Sequence, residues 1–156
     1  MHRRNVLHSC GLAVVGLITL LNTAPAQQKS AKELITGSWR LLIADNVRSD
    51  RNRVPGFGAL PNGTAKFGAD GKYSVEITPN SGGHPAPSYS GSYVLDDAGK
   101  TLTLRVERSS LANWRGTTQS GTVDFANADD LGWTTSVPFA ASAEFTGAEL
   151  IWSRAK

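Results

Sequence analysis

Cysteine, methionine and histidine are almost absent from this sequence. The chain of 156 residues has one Cys, one Met and three His, and its first 26 residues contain all of them except His84. We predict that those 26 residues are a cleaved export signal and that residues 27–156 form one domain. Such a domain has no disulfide, no thiol nucleophile and no zinc site built from several Cys or His. We expect no cofactor and no metal.

The N-terminal segment has the three parts of an export signal. Arg3 and Arg4 precede an apolar run at 10–21, and Ala-Pro-Ala at 24–26 provides the small residues that a signal peptidase accepts. A membrane span needs about 20 apolar residues, so we expect no stable span once the signal is removed. The paired arginines leave the twin-arginine and the general secretory routes both open. Either route predicts a periplasmic or extracellular protein.

Charge and catalytic motifs are also scarce. Removal of Arg3 and Arg4 lowers the formal net charge from +3 to +1, so nucleic acid is not an expected partner. The sequence has no Gly-rich phosphate loop, no calcium loop and no Ser/His/Asp arrangement. His84 lies in a Gly-His-Pro segment without a neighbouring acid to orient it, and we interpret it as an exposed loop residue. No catalytic residue is assigned.

Alternation of apolar and polar residues dominates the rest of the chain. Residues 27–33 are polar and fit a short lead-in or one helical turn, and eight alternating segments follow, separated by Gly, Asn, Asp and Pro. The predicted strands are 37–47, 63–68, 72–78, 89–95, 101–107, 117–125, 131–137 and 145–154, with loops at 54–62, 78–88 and 109–116. The pattern favours an all-β fold, an eight-stranded antiparallel up-and-down barrel, because closure removes exposed sheet edges. A β-sandwich is the alternative.

Short motifs resemble those of a known barrel family. Gly37-Ser38-Trp39 begins the first strand and Arg154 ends the last, which resembles the lipocalin and wider calycin pattern. Over nearly all of residues 27–156 the chain is similar to a bacterial family of small exported proteins with a lipocalin-like domain. The shared pieces are Leu-x-Gly-x-Trp-x-Leu at 34–41 (spaced here as Leu34, Gly37, Trp39 and Leu41), Pro-Gly-Phe at 55–57, Asp-Gly-Lys at 70–72, Gly-x-Tyr at 91–93 and Ser-Ser…Asn-Trp at 109–114. The segment 78–89 is short for this family.

The resemblance implies structural roles more than an activity, because the family is mostly of unassigned function. It implies a lipocalin-like barrel in which Trp39 plugs the floor and Arg154 packs across it, with Gly37 in the same motif. Trp114 lies in a polar loop and either caps the barrel or forms a contact surface. The resemblance favours the cap.

The inward faces of the predicted strands provide the candidate ligand site. Aromatic walls with a few hydroxyl tips are typical of a small-ligand pocket, and they are equally typical of a filled barrel core. Arg115 could hold a ligand carboxylate by bidentate pairing. The candidate ligand-binding residues are Tyr73, Val75, Tyr93, Leu102, Leu104, Trp133 and Arg115.

The predicted function is therefore the non-covalent binding of a small apolar or amphipathic molecule inside the barrel. One alternative is a barrel enzyme of the isomerase or cyclase type, which needs a titratable group inside. Alternation places Glu76 and Glu107 outside, so an enzyme is the less favoured reading. The other alternative is a protein-binding, inhibitor-like module in the cell envelope, which would expose an apolar patch near Trp114.

Overall fold

The computed structural model describes residues 29–78 and 87–156. The predicted export signal and His84 lie outside the described residues. Neither helix in the described part of the chain is long and apolar enough to cross a membrane.

A short helix, α1 (Ala31–Ile35), precedes the barrel. Its N-terminus is a capping box: the Ser30 hydroxyl accepts a hydrogen bond from the Glu33 amide at 3.2 Å, and the Glu33 carboxylate accepts one from the Ser30 amide at 2.7 Å. The helix ends by burying Ile35 in the core. The helical turn predicted at 27–33 is therefore shifted toward the barrel, where Ile35 finds an apolar environment.

Nine antiparallel strands follow, and eight of them close into a barrel. The ring runs in chain order from β1 to β9 without β2, and β1 pairs with β9 to close it. The all-β barrel predicted from the alternation is confirmed. The strands are β1 (Gly37–Arg48), β2 (Arg53–Pro55), β3 (Asn62–Phe67), β4 (Lys72–Thr78), β5 (Ser88–Leu95), β6 (Thr101–Ser109), β7 (Thr118–Asn127), β8 (Asp130–Thr135) and β9 (Phe145–Arg154).

Strand β2 corrects the prediction of a loop over 54–62. It pairs with the distal part of β1, where Val54 lies opposite Asn46, and the loop resumes after Pro55. The C-terminal half of β1 pairs with β9 on one side only. Strand β3 pairs with the first residues of β1, so the other edge of that half is left open. The short strand β2 therefore covers a free edge of β1, a need that local sequence patterns do not reveal.

Other boundaries moved by a few residues. The predicted loop at 109–116 contains a 3₁₀-helix, Ala112–Trp114, and β6 continues to Ser109. Strand β8 ends at Thr135 instead of 137. There the Thr135 hydroxyl accepts the Val137 amide at 3.2 Å, which turns the chain out of the ladder.

The two ends of the barrel differ in their connections. At one end, which we call the Trp39 end, the strands are joined by the tight turns 68–71, 96–100 and 128–129, and α1 lies beside them. At the other end, the Trp114 end, the connections are longer, among them 110–117 and 136–144. The inward side chains between the two ends form one continuous apolar core.

Candidate functional site

Arg154 and Trp39 close the Trp39 end as one unit. Trp39 is fully buried, and the guanidinium carbon of Arg154 lies 4.4 Å from the centroid of its ring. The indole nitrogen of Trp39 donates to the carbonyl of Ile35 at 2.8 Å. The expected packing of Arg154 across Trp39 is confirmed in the structure, and cation–π attraction adds to it.

The Arg154 guanidinium also joins three parts of the chain. It donates to the carbonyls of Leu34 (2.7 Å) and Thr36 (3.1 Å) at the end of α1, and to the carbonyl of Ala128 (2.8 and 3.0 Å) in the β7–β8 turn. Gly37 makes room for it, because a Cβ there would lie 2.8 Å from Nη1 of Arg154 and the φ of Gly37 is +132°. These contacts support a structural role for Gly37, Trp39 and Arg154.

A column of aromatic rings runs through the interior toward the Trp114 end. Tyr73 contacts Phe67 and Tyr89 with centroid distances of 6.2 and 6.0 Å, and Tyr89 meets Trp114 edge-on at 5.2 Å. Trp114 then lies 6.5 Å from Phe139. Trp114 is only 6% exposed, so it caps the barrel and forms no exposed patch.

Loop residues complete the cap at the Trp114 end. Phe139 packs edge-on against Phe57 at 4.8 Å. The Oδ1 of buried Asn46 accepts the backbone amides of Phe139 (2.8 Å) and Ala140 (3.3 Å), which ties the 136–144 connection to β1. The cap therefore consists of rings carried by loops, and polar contacts hold those loops: the Asn46 amide and the Arg48–Glu144 ion pair on one connection, and the Thr117 hydroxyl, which donates to the Trp114 carbonyl at 2.7 Å, on the other.

Six of the seven predicted ligand-binding residues point into the barrel. All six are buried, and Leu102 and Leu104 are fully inaccessible. Arg115 is the exception: it does not point into the barrel, since it is exposed on the outer surface and donates to the Ser109 carbonyl at 3.3 Å. The 3₁₀-helix turns Trp114 inward, so its neighbour faces outward. The six inward residues are Tyr73, Val75, Tyr93, Leu102, Leu104 and Trp133.

Two of these inward residues carry a buried polar atom without a partner among the described residues. They are the Tyr73 hydroxyl and the indole nitrogen of Trp133. Tyr93 differs, because its hydroxyl donates to the Gly68 carbonyl at 2.7 Å. Strands β4 and β8 are four places apart in the ring of eight, so Tyr73 and Trp133 belong to opposite walls. Unpaired buried donors are uncommon in folded proteins, because each costs about 1–3 kcal/mol.

The titratable groups of the described interior are tyrosines. Burial, and secondarily the charge of Glu107, raise the pKa of Tyr73; burial raises the pKa of Tyr89 and of Tyr93 as well. The hydroxyls therefore stay protonated near neutral pH. Glu76 and Glu107 are exposed, as the alternation predicted, and the described residues include no His/Cys/Asp/Glu group able to hold a metal ion.

Phe57, Phe139 and Asn46 belong to the site and were missed by the sequence reasoning. Each aromatic stands in a segment with Pro or Gly, which reads as loop. A large aromatic in such a segment is costly to expose, so it was a usable signal for a cap. Asn46 carried no such signal, because an Asn near a strand end is common in turns.

Comparison with known proteins adds little beyond this geometry. No protein-family model matches the chain, and no curated protein matches it. Among solved structures it is similar to a redesigned β-barrel, with 10% identity over 81% of this chain and 96% of the other and a TM-score of 0.49. It is also similar to a de novo designed fluorescence-activating β-barrel, with 14% identity over 82% of this chain and 100% of the other and a TM-score of 0.46.

Proposed function

We propose that this protein is an exported, lipocalin-like barrel that binds one small amphipathic molecule in its interior. The observation that carries the proposal is a pair of polar groups, Tyr73 Oη and Trp133 Nε1, that have no partner among the described residues and lie on opposite walls of a mostly apolar interior. A bound molecule with hydrogen-bond acceptors would satisfy both groups. An eight-stranded barrel has room for side chains or one small ligand.

The two groups define the ligand's chemistry. An indole nitrogen only donates, and a protonated tyrosine hydroxyl donates readily, so the ligand needs acceptor atoms such as carbonyl, carboxylate or ether oxygens. The walls between them are mostly aliphatic and aromatic, with Gln119 and Thr135 as buried polar exceptions, so the body of the ligand is largely apolar. Its burial would contribute about 25 cal/mol per Å² of apolar surface removed from water.

Entry requires movement of the Trp114 end. The inward side chains are nearly inaccessible, so the described interior is filled by its own residues. A ligand would have to displace rings, and the Trp114–Phe139 contact lies on the two long connections 110–117 and 136–144. Ring contacts carried by loops are easier to separate than paired strands.

Binding is better supported than the two alternatives. An isomerase or cyclase needs a group that exchanges protons near neutral pH, and burial keeps the three interior tyrosines protonated. An inhibitor-like module needs an exposed apolar patch around Trp114, and that side chain is buried.

The test measures binding of a fluorescent polyene fatty acid, cis-parinaric acid, which has an apolar chain and a carboxylate. Tyr73→Phe removes the unpartnered hydroxyl and should weaken binding about fivefold, the loss of one hydrogen bond. Tyr93→Phe is the matched comparison: it removes a hydroxyl already bonded to Gly68, so it should weaken binding less than Tyr73→Phe does and should lower stability.

A second readout separates binding from stability. Without ligand, Tyr73→Phe should be as stable as the wild type in urea or slightly more so, because it removes an unsatisfied group. Native mass spectrometry of the protein purified from the envelope of cells that export it should show a discrete non-covalent adduct. A clean apo mass together with no parinarate fluorescence change would overturn the proposal.

A further inference from the structure

A serine-lined groove runs along the outside of the barrel, on the opposite side of the wall from the proposed interior site. Ser88 and Ser90 of β5 and Ser74 of β4 face outward, and short side chains there leave a depression between longer neighbours. The groove has a volume of about 620 Å³. It reaches the rim of the Trp114 end, where Arg115 lies.

The strand register places two cations on either side of two serines. Lys66 pairs with Ser74, Ser74 pairs with Ser90, and Ser90 pairs with Arg108, so the four form one row across β3, β4, β5 and β6. Neighbouring strands lie about 4.8 Å apart, so the Cα atoms of Lys66 and Arg108 are about 14 Å apart along the row. Their long side chains can converge on a ligand that rests on the serines.

A β-bulge puts Arg108 into this row. The register shifts between Ser90 and Gly91, so that Glu107 is an extra residue on β6. Strict alternation would turn Arg108 inward with Val106, whereas the bulge exposes it beside Ser90. Gly91 is required here, because a Cβ at this position would collide with the backbone carbonyl of Arg105. Bulges often re-aim side chains at functional sites.

The groove is positively charged and polar. Three cations line it, Lys66, Arg108 and Arg115, together with Glu76 and Glu107. Glu107 is partly neutralised by Lys72, whose Nζ lies 3.4 Å from its Oε1. Opposite charge and the bidentate geometry of arginine favour carboxylate or sulfate groups in a ligand.

Neutral sugars are a poorer fit for this groove. Aromatic platforms usually provide the apolar contact for a neutral polar ring. Tyr89 borders the groove, but its ring lies inside the barrel against Tyr73 and Trp114. Recognition here therefore depends on charge and hydroxyl hydrogen bonds.

We infer that this groove binds an acidic saccharide. The acidic group of the saccharide lies between Lys66 and Arg108. The hydroxyl groups of the saccharide form hydrogen bonds with Ser74, Ser88 and Ser90. The proposal does not depend on a ligand inside the barrel, because every residue it uses lies on the outer face or at the rim.

The experiment is a ¹⁵N NMR and calorimetric titration of the exported protein with a sulfated hexasaccharide and a trigalacturonate, with neutral maltohexaose as reference. The amides of residues 74, 88 and 90 should shift with both acidic probes. Arg108→Gln should weaken binding tenfold or more, as expected for loss of a charge-assisted hydrogen bond. The matched control is Arg105→Gln, exposed on the same strand outside the groove lining, which should change the affinity less than about twofold.

Each remaining outcome counts against the inference. Equal weakening by Arg105→Gln would show diffuse surface attraction instead of a site. Equal binding of maltohexaose would remove the requirement for an acid. Inorganic sulfate binding as tightly as the hexasaccharide would show that the groove takes an anion without the sugar. If neither acidic probe shifted the amides of residues 74, 88 and 90, the site itself would be overturned.

Discussion

The two ends of this barrel are closed by different physical means. At the Trp39 end, a guanidinium is stacked on an indole and donates to the carbonyls of Leu34, Thr36 and Ala128. At the Trp114 end, rings carried by loops rest against one another, and the loops are held by scattered hydrogen bonds, such as those of Asn46 and Thr117, and by the exposed Arg48–Glu144 ion pair. Directional, charge-assisted bonds hold a single geometry, whereas ring contacts tolerate displacement. We therefore expect the Trp39 end to be the more rigid of the two, and the Trp114 end to open more readily.

The largest expected loss of stability follows a substitution at the Trp39 end, the floor of the barrel. Trp39→Ala should lower the free energy of unfolding by about 3–5 kcal/mol, because it empties a fully enclosed volume. Trp114→Ala, its counterpart at the other end, should cost less, since loops collapse into a gap more easily than paired strands. Urea unfolding of the two variants measures the contrast. Equal losses would contradict the distinction between the two ends.

Loss of the Arg154 guanidinium should have the next largest effect on the free energy of unfolding. Arg154→Gln removes the stack on Trp39 and strands the Leu34 and Ala128 carbonyls, which should cost about 2–3 kcal/mol. Arg154→Lys keeps the charge but not the planar fork, so an intermediate loss is expected. The control is Arg40→Gln, an exposed position, with a change within about 0.5 kcal/mol. Urea midpoints measure all three variants. An unchanged midpoint for Arg154→Gln would mean that the contacts of the Arg154 guanidinium add no stability.

Lowering the pH should destabilise the fold through turns at the Trp39 end, with a smaller effect than the substitutions at Trp39 and Arg154. The Asp96 carboxylate accepts the amides of Thr101 (2.9 Å) and Lys100 (2.7 Å), and these bonds lower its pKa. A lowered folded-state pKa contributes stability that is present above the unfolded value of about 3.9 and is lost as pH falls through the folded value. The urea midpoint should therefore fall below about pH 4.

Asp96→Asn tests that origin. The Asn oxygen can still accept both amides but does not titrate, so the acid-induced fall in the urea midpoint should be shallower. Asp97→Asn changes the next turn residue, which accepts neither hydrogen bond. In this variant the urea midpoint should fall with pH as steeply as in the wild type. Lowered pKa values at Glu33 and Asp50 account for part of the remaining slope. Identical slopes for both variants would rule out Asp96 as a contributor.

Much of the fold was readable from local pattern. The period-two alternation located the eight barrel strands to within a few residues, because one face of each strand is buried and the other is wet. The resemblance of the Gly37–Trp39 motif and Arg154 to the lipocalin pattern also predicted that Arg154 packs on Trp39. By contrast, the sequence does not show which way Arg115 faces, and the 3₁₀-helix Ala112–Trp114 turns it outward.

The outer groove was not predictable in the same way. The Ser-Tyr-Ser-Gly-Ser-Tyr run at 88–93 predicts alternating inward tyrosines and outward serines, but it does not show which cations lie beside those serines. The position of Arg108 depends on a bulge, and a bulge is set by the register between strands and not by either strand alone.

The sequence by itself determined the strand pattern and the barrel class, because these depend on residue type and on spacing along one strand, whereas the aromatic–cation floor was expected only from the resemblance to the lipocalin pattern. The tertiary structure alone decided that β2 covers the edge of β1, that Arg108 turns outward, and that Tyr73 and Trp133 lie buried with polar atoms that no described residue bonds. Those features depend on what stands opposite each residue, and that is settled only when the ring of strands closes.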